Sequence, residues 1–184
     1  MNTSIDKFKS IVELITYDSP CGRLILGSYQ GRLCLCDRAT RFYDSEVESR
    51  IDRTLKAKLI EQASEVTQET IRQLEEYFQN ERKTFDLPLM LVGTEFQRCV
   101  WEELNEIPYG STCSYAELAA SIGSPRATRA VAHAVGANAI SIIVPCHRIV
   151  GSNGSLTGYA GGLAAKRFLL GIEMEQVAFF HPKR

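Results

Sequence analysis

The chain has 184 residues, a net charge of −1, 45% hydrophobic and 23% charged residues, the composition of an ordinary globular protein with room for one domain or two small ones. It contains no run of about 18 or more apolar residues, which excludes a helical membrane span. The N-terminal MNTSIDKFKS lacks the apolar core of a secretory signal, which predicts a cytoplasmic protein whose six cysteines are reduced thiols rather than a disulfide scaffold.

IVELITYDSP, GRLILGSYQG and RLCLCDR mix apolar and β-branched residues and are separated by Pro20-Cys21-Gly22 and Gln30-Gly31, so they read as strands. Leu24 and Leu26, then Leu33 and Leu35, alternate with small or polar neighbours as in a half-buried hairpin. The charged stretch from Asp44 to Glu61 predicts one surface helix. Ile71, Leu74 and Phe78 recur at three- and four-residue intervals and predict a second helix over 67–80. Thr84–Val92, held open by Pro88, reads as a linker or edge strand. We place a domain boundary there, with an α/β unit over 1–88 and a helical unit over 89–184.

The second half is punctuated by caps. Thr94 with Gln97 is a capping box opening a helix through Leu104, with Phe96, Val100, Trp101 and Leu104 on its apolar face. Ser114 with Glu117 opens a short helix that Gly123 stops. Ser124 is predicted to cap a third helix, with Pro125 at its first position, running to about Val135. Helix, glycine turn, helix is the spacing of a helix-turn-helix, and also of a plain helical hairpin. Ile140–Val144 reads as a buried strand ending at Pro145-Cys146-His147-Arg148. A glycine-rich loop then leads to a last helix from Leu163 to about Gly171.

Charge is unevenly placed. Between Glu117 and Glu173 there is no acid, while Arg126, Arg129, Arg148, Lys166 and Arg167 fall in that window. Such a stretch is either the footprint of a polyanion or a buried, Ala/Gly-rich core segment. Cys146 beside His147 is a candidate nucleophile, because a thiol attacks as thiolate and a neighbouring base favours that form. The bland reading is a buried cysteine at a strand end. Cys21, Cys34 and Cys36 lack CxxC spacing, and no histidine precedes His133, so no metal site is predicted.

Pro145-Cys146-His147-Arg148, preceded by Asn138 and the apolar run, resembles the active-site motif of the O6-alkylguanine-DNA alkyltransferases. Gly93-Thr94-Glu95-Phe96-Gln97, Val100-Trp101, Ile107-Pro108-x-Gly110, Ser114-Tyr115 and Arg129-Ala130-Val131 follow that family's order. So do Gly158-Tyr159-Ala160-Gly161-Gly162 and Leu169-Leu170-x-x-Glu173. The likeness covers about residues 88–175. It implies a ribonuclease-H-like α/β domain followed by a winged-helix-like domain with the helix-turn-helix.

The resemblance further implies repair by direct reversal, in which an alkyl group leaves O6 of guanine, or O4 of thymine, for the protein's own cysteine, once per molecule. Cys146 would be the nucleophile, His147 a general base acting through a water, Glu173 its orienter and Asn138 the support between helix and active-site turn. Tyr115 would donate a proton to the leaving oxygen and help rotate the nucleotide out. Arg129 would fill the emptied stack from the minor groove. Tyr159 and Ala160 would form the pocket's lid, with the carbonyls of Cys146 and Ile149 reading the base. Ala116, Ser124 and Ser152 would meet phosphates. The implied partner is double-stranded DNA carrying alkylated guanine or thymine, bound by a monomer without cofactor. His133, where relatives have a small residue, and Ala139, where proline is frequent, depart from the pattern. A lesion binder without repair activity and a thiol hydrolase remain the competing readings of the residues.

Overall fold

The N-terminal alternation becomes three antiparallel strands, β1 (Ile11–Ser19), β2 (Gly22–Tyr29) and β3 (Arg32–Arg38). The computed structural model describes residues 10–43 and 45–180, with side chains as far as Met174. Gln30 and Gly31 join β2 to β3 with φ of 50° and 71°. Two left-handed residues make the hairpin turn whose twist matches that of the strands.

The charged stretch after β3 is not one helix. A short α1 (Ala39–Phe42) precedes α2 (Glu46–Leu55), which Ser45 caps and a left-handed Lys56 ends. Lys58–Glu61 then forms β4, parallel to β1, giving the sheet order β3-β2-β1-β4. Four residues with charged ends are too few to show a two-residue period, so charge masked this strand. α3 (Glu65–Phe78) starts at the Ser64–Thr67 capping box, slightly earlier than predicted, and buries Leu74 and Tyr77. The extended segment before the second half lies along β3: Leu33 N–H donates to Pro88 O at 2.7 Å and Met90 N–H to Leu33 O at 2.8 Å.

α4 (Glu95–Asn105) carries the predicted Thr94–Gln97 capping box and buries Val100, Trp101 and Leu104, whereas Phe96 stays exposed. The two-residue β5 (Cys113–Ser114) leads into α5 (Tyr115–Ser121), which has the predicted Ser114–Glu117 box. Ser124 does not cap the next helix. Its N–H donates back to Ala119 O at 2.8 Å, and Gly123 N–H donates to Ala120 O at 2.9 Å with φ of +70°. This is a Schellman closure of α5, and it commits Ser124 to the helix behind it. α6 (Thr128–Gly136) begins three residues beyond Pro125, after a turn in which Ala127 N–H donates to Ser124 O.

Residues 140–144 are not a strand either. Ile140 pairs singly with Cys36, Ser141 with Val144, and Ile142 between them has φ of +74°. A β-branched residue in that region is strained, by on the order of 1–3 kcal/mol, and it reverses the chain tightly. Cys146–Arg148 is a single 3-10 turn, followed by β6 (Ile149–Val150), which pairs in parallel with β5. The last helix, α7 (Leu163–Phe180), runs through Gly171 instead of ending there.

One face of the sheet packs Val12, Leu14, Ile25 and Leu35 against Phe42, Val47 and Ile51 of the first two helices. The other face joins Leu24, Leu26, Leu33 and Tyr77 to Trp101, Leu104, Val131, Ile140 and Leu169 in one continuous cluster. The turn at Cys146–Arg148 is thus built on the sheet as well as on the helices. No described helix is long and apolar enough to cross a membrane.

Candidate active site

The tight reversal at Ile142 folds the chain so that Cys146 comes beneath Asn138, the second residue after α6. Asn138 Oδ1 accepts from Ile140 N–H at 2.9 Å, and its Nδ2 donates to Val144 O at 3.0 Å and to Cys146 Sγ at 3.1 Å. One buried amide therefore links the end of α6 to the sulfur. Cys146 is only 3% exposed. Burial pushes its thiol above the ordinary range, with the Asn138 hydrogen bond pulling the other way, so the resting group is protonated.

His147 is fully buried on the same turn, and its Nε2 lies 2.8 Å from Glu173 Oε1. Glu173 is an organising hub: Oε1 also accepts from Tyr77 OH at 2.9 Å and Arg148 Nη2 at 3.0 Å, and Oε2 from Arg148 Nε at 2.9 Å and Gly110 N–H at 3.1 Å. Burial would raise its carboxyl, but the hydrogen bonds and charges of His147 and Arg148 bring it down to about 2. Burial holds the His147 imidazole below its ordinary range despite Glu173, so the ring rests neutral. An ionised carboxylate only accepts, so the single ring proton sits on Nε2 and Nδ1 carries the lone pair. That Nδ1 is buried and has no hydrogen-bond partner among the described residues. Among the described residues, no hydrogen bond joins His147 to Cys146; they form no direct dyad.

Three side chains hold carbonyls of β6 and of the segment that follows it. Lys166, fully buried on α7, donates Nζ to Ile149 O and to Thr157 O. Tyr115, the first residue of α5, donates its hydroxyl to Gly158 O at 3.0 Å. Arg38 at the end of β3 donates Nη1 to Gly161 O at 2.5 Å. Gly158 has φ of +46°, and a Cβ there would lie 2.9 Å from the Tyr115 oxygen, so only glycine fits. Tyr159 packs half-buried against the core beside this segment, and Ala160 is exposed.

The sequence-predicted residues thus fall into two sets. Cys146, His147, Glu173 and Asn138 converge at the turn, and Tyr115 meets the 157–162 segment that carries Tyr159 and Ala160. Ile149 O, predicted to read a base, is taken by Lys166, and Cys146 O by the N–H of Ile149. Arg129 and Ala116 are exposed at the starts of α6 and α5, Ser152 is exposed two residues beyond the β5–β6 pairing, and Ser124 is half-buried. A cavity of about 510 Å³ lies elsewhere, between α2 and the end of α6, lined by Arg41, Arg50 and His133 among others. It contains none of the converging residues, and size alone is no argument for chemistry there. No group of three potential metal ligands occurs among the described residues.

Sequence reasoning missed Lys166, Arg38, Tyr77 and the Asp37–Arg41 pair. Lys166 had a signal: with Leu169, Leu170 and Glu173 it forms one i, i+3, i+4, i+7 stripe, so a lysine lies on a buried face. Arg41 donates to Asp37 four residues back at 2.7 Å, and also to Gly136 O at 2.6 Å and Asn138 O at 3.3 Å, two contacts spanning nearly a hundred residues that no local pattern announces.

Family models describing 6-O-methylguanine DNA methyltransferase match residues 14–91 (ribonuclease-like domain) and 95–175 (DNA binding domain). The constitutive methylated-DNA–protein-cysteine methyltransferase of Bacillus subtilis is 45% identical over 161 residues, covering 86% of this chain and 93% of that protein. The protein of the same name from Methanosarcina acetivorans is 57% identical over 109 residues, 59% of this chain and 70% of its own. Among solved structures, a Mycobacterium tuberculosis OGT in complex with DNA superposes with a TM-score of 0.75 at 38% identity, covering 93% of this chain and 99% of that one.

Proposed function

The chain belongs to the 6-O-methylguanine DNA methyltransferase family, and from that premise we propose which of its residues carry the reaction. It is a methylated-DNA–protein-cysteine methyltransferase, a DNA-binding repair enzyme that reverses alkylation directly by moving the alkyl group to a cysteine. In our reading Cys146 is that cysteine.

The observation that carries the assignment is the pairing of a protonated, buried thiol with a neutral His147 whose Nε2–H is committed to Glu173 and whose Nδ1 is free to accept. Nδ1 takes the thiol proton through a water. The thiolate attacks the alkyl carbon attached to O6; the S–C bond forms as the C–O bond breaks, and the electron pair stays on the guanine. The Tyr115 hydroxyl, turning from Gly158 O to the departing base, supplies the proton that neutralises it, and the proton held by His147 returns to Tyr115 through solvent. Attack on an alkyl carbon develops no oxyanion on a carbonyl, so no oxyanion hole is required. The thioether cannot ionise, so each molecule acts once.

Exposed Arg129 at the start of α6 suits insertion into the stack after the lesion is extruded from the minor-groove side. Ala116, Ser124 and Ser152 serve the phosphates. Tyr159 and Ala160 close the pocket, and the Cys146 and Ile149 carbonyls, each already accepting one hydrogen bond, offer their second lone pair to the base edge. Alkylated guanine is the main lesion and alkylated thymine the lesser one; the protein works in the cytoplasm as a monomer, with its division near residue 88.

The test is mass spectrometry after incubation with duplex DNA containing O6-methylguanine. A single added methyl on the Cys146 peptide is expected. Cys146→Ala should bind the lesion and gain nothing; methylation of that variant under single-turnover conditions refutes the assignment.

A further inference from the structure

We propose that Arg38, on the N-terminal sheet, is a positioning residue that tethers the pocket lid and thereby sets how large an alkyl group is accepted. The inference rests on the reading of Tyr159–Gly162 as that lid. Arg38 Nη1 donates to Gly161 O. Its guanidinium lies between two turns, since a Cβ on Gly22 of the β1–β2 turn would be 3.4 Å from Nη2 and one on Gly162 would be 3.7 Å from Nη1. The lid turn is closed by Gly162 N–H donating to Tyr159 O at 2.9 Å, and the Tyr159 ring folds onto Gly161, where a Cβ would lie 2.5 Å from Cε1. Pulling on Gly161 therefore moves Tyr159.

The other two tethers, Tyr115 and Lys166, come from the helical half and grip the near end of the segment, at Thr157 and Gly158. Arg38 alone among them reaches across from the sheet and grips the far end. The consequence is a size filter. On this proposal a methyl group is transferred with the lid in place, so the Arg38–Gly161 bond persists through its transfer. A benzyl group requires the lid to shift, and the reaction then loses a charge-assisted bond that the methyl reaction keeps. Removing the side chain removes that difference.

The experiment compares single-turnover rates of alkyl transfer from duplexes bearing O6-methylguanine and O6-benzylguanine, in wild type, Arg38→Ala and Arg38→Lys. The benzyl-to-methyl rate ratio should rise about three- to tenfold in Arg38→Ala, the equivalent of one partly exposed charge-assisted bond, and less in Arg38→Lys, which retains a donor. Hydrogen exchange at the Tyr159–Gly162 amides should quicken in Arg38→Ala and be restored in part by Arg38→Lys, a change that a general loss of stability would spread over the whole chain. An unchanged ratio, or equal slowing with both substrates, overturns the tether while leaving the Cys146 assignment intact. If wild type gains no methyl on Cys146, the assignment itself falls and the tether with it. Should Arg38→Ala not fold, Arg38→Gln is judged by the same ratio.

Discussion

Replacing Glu173 with glutamine tests the arrangement of the site at its most connected atom pair. The carboxylate accepts from His147, Arg148, Tyr77 and Gly110, and glutamine offers one oxygen and an N–H₂ in its place. Whichever way the amide lies, a donor faces a donor, and the Arg148 charge loses its buried partner. Two routes give the size of the effect. Breaking a buried pair by removing one partner costs about 3–5 kcal/mol. The fall of the Glu173 carboxyl from 4.5 to about 2, at about 1.4 kcal/mol per pH unit, corresponds to about 3 kcal/mol. For a domain of this size, about 3 kcal/mol lowers the melting midpoint by roughly 6–12 °C. Catalysis suffers separately. With no acceptor at Nε2, the ring proton loses its anchor and Nδ1 its role, so transfer from O6-methylguanine duplex should slow by about 10²–10⁴, the usual worth of a general base. The assay is single-turnover transfer at a temperature where circular dichroism shows the variant folded, repeated across pH. Residual transfer should climb with alkaline pH, because the thiol must then ionise unaided. A folded Glu173→Gln that transfers at the wild-type rate with a wild-type pH profile refutes the reasoning.

Acid should destabilise the wild type through two groups. His147 and Glu173 both have lowered folded values, so the stability each contributes is present above its ordinary value, near 6.5 and 4.5, and is lost as pH falls below it. Urea midpoints should decline from about pH 6.5 downward, and Glu173→Gln should flatten the part below 4.5; a midpoint constant from pH 7 to 4 contradicts this. Arg129→Ala should slow transfer from duplex DNA far more than from free O6-benzylguanine, which needs no extrusion; equal slowing would give Arg129 a role in the fold instead. Gly158→Ala forces a side chain into φ of +46° and against the Tyr115 oxygen, so it should cost about 1 kcal/mol or more and slow transfer. Wild-type rates in a variant of wild-type stability would count against the Tyr115–Gly158 contact.

Local chemistry was readable in the sequence, and chain reversal was not. The boxes at Thr94–Gln97 and Ser114–Glu117 are satisfied within four residues, so side-chain identity suffices to find them. Ser124 has no Glu or Gln three residues on to complete a box, only Pro125 after it, and its N–H closes α5 behind Gly123. The apolar run 140–144 looks the same as a buried strand and as a tight reversal, because both bury every side chain; only the left-handed Ile142 separates them. At the site, Cys146 and His147 are neighbours in sequence, whereas the structure gives Glu173 its five contacts from three separate segments of the chain. The long-range contacts of Arg38 and Arg41 are unreadable because their acceptors there are backbone carbonyls, which every residue type supplies.

The sheet face shared between the two halves bears on how such a chain diversifies. Two family models tile it end to end, yet Leu24, Leu26, Leu33 and Cys36 interlock with Trp101, Val131 and Ile140 in a single packed mass. A hybrid joining this sheet to a relative's helices would place its seam inside that mass. Each half's side-chain shapes would then be solving a packing problem posed by a different neighbour. Cys36 N–H donates to Ala139 O and Ser141 N–H to Cys36 O, at 2.8 and 2.6 Å, so the misfit would reach the reversal that sets the sulfur's position. Substitutions along this seam have to be inherited together, and the outer loops are where exchange between lineages is free.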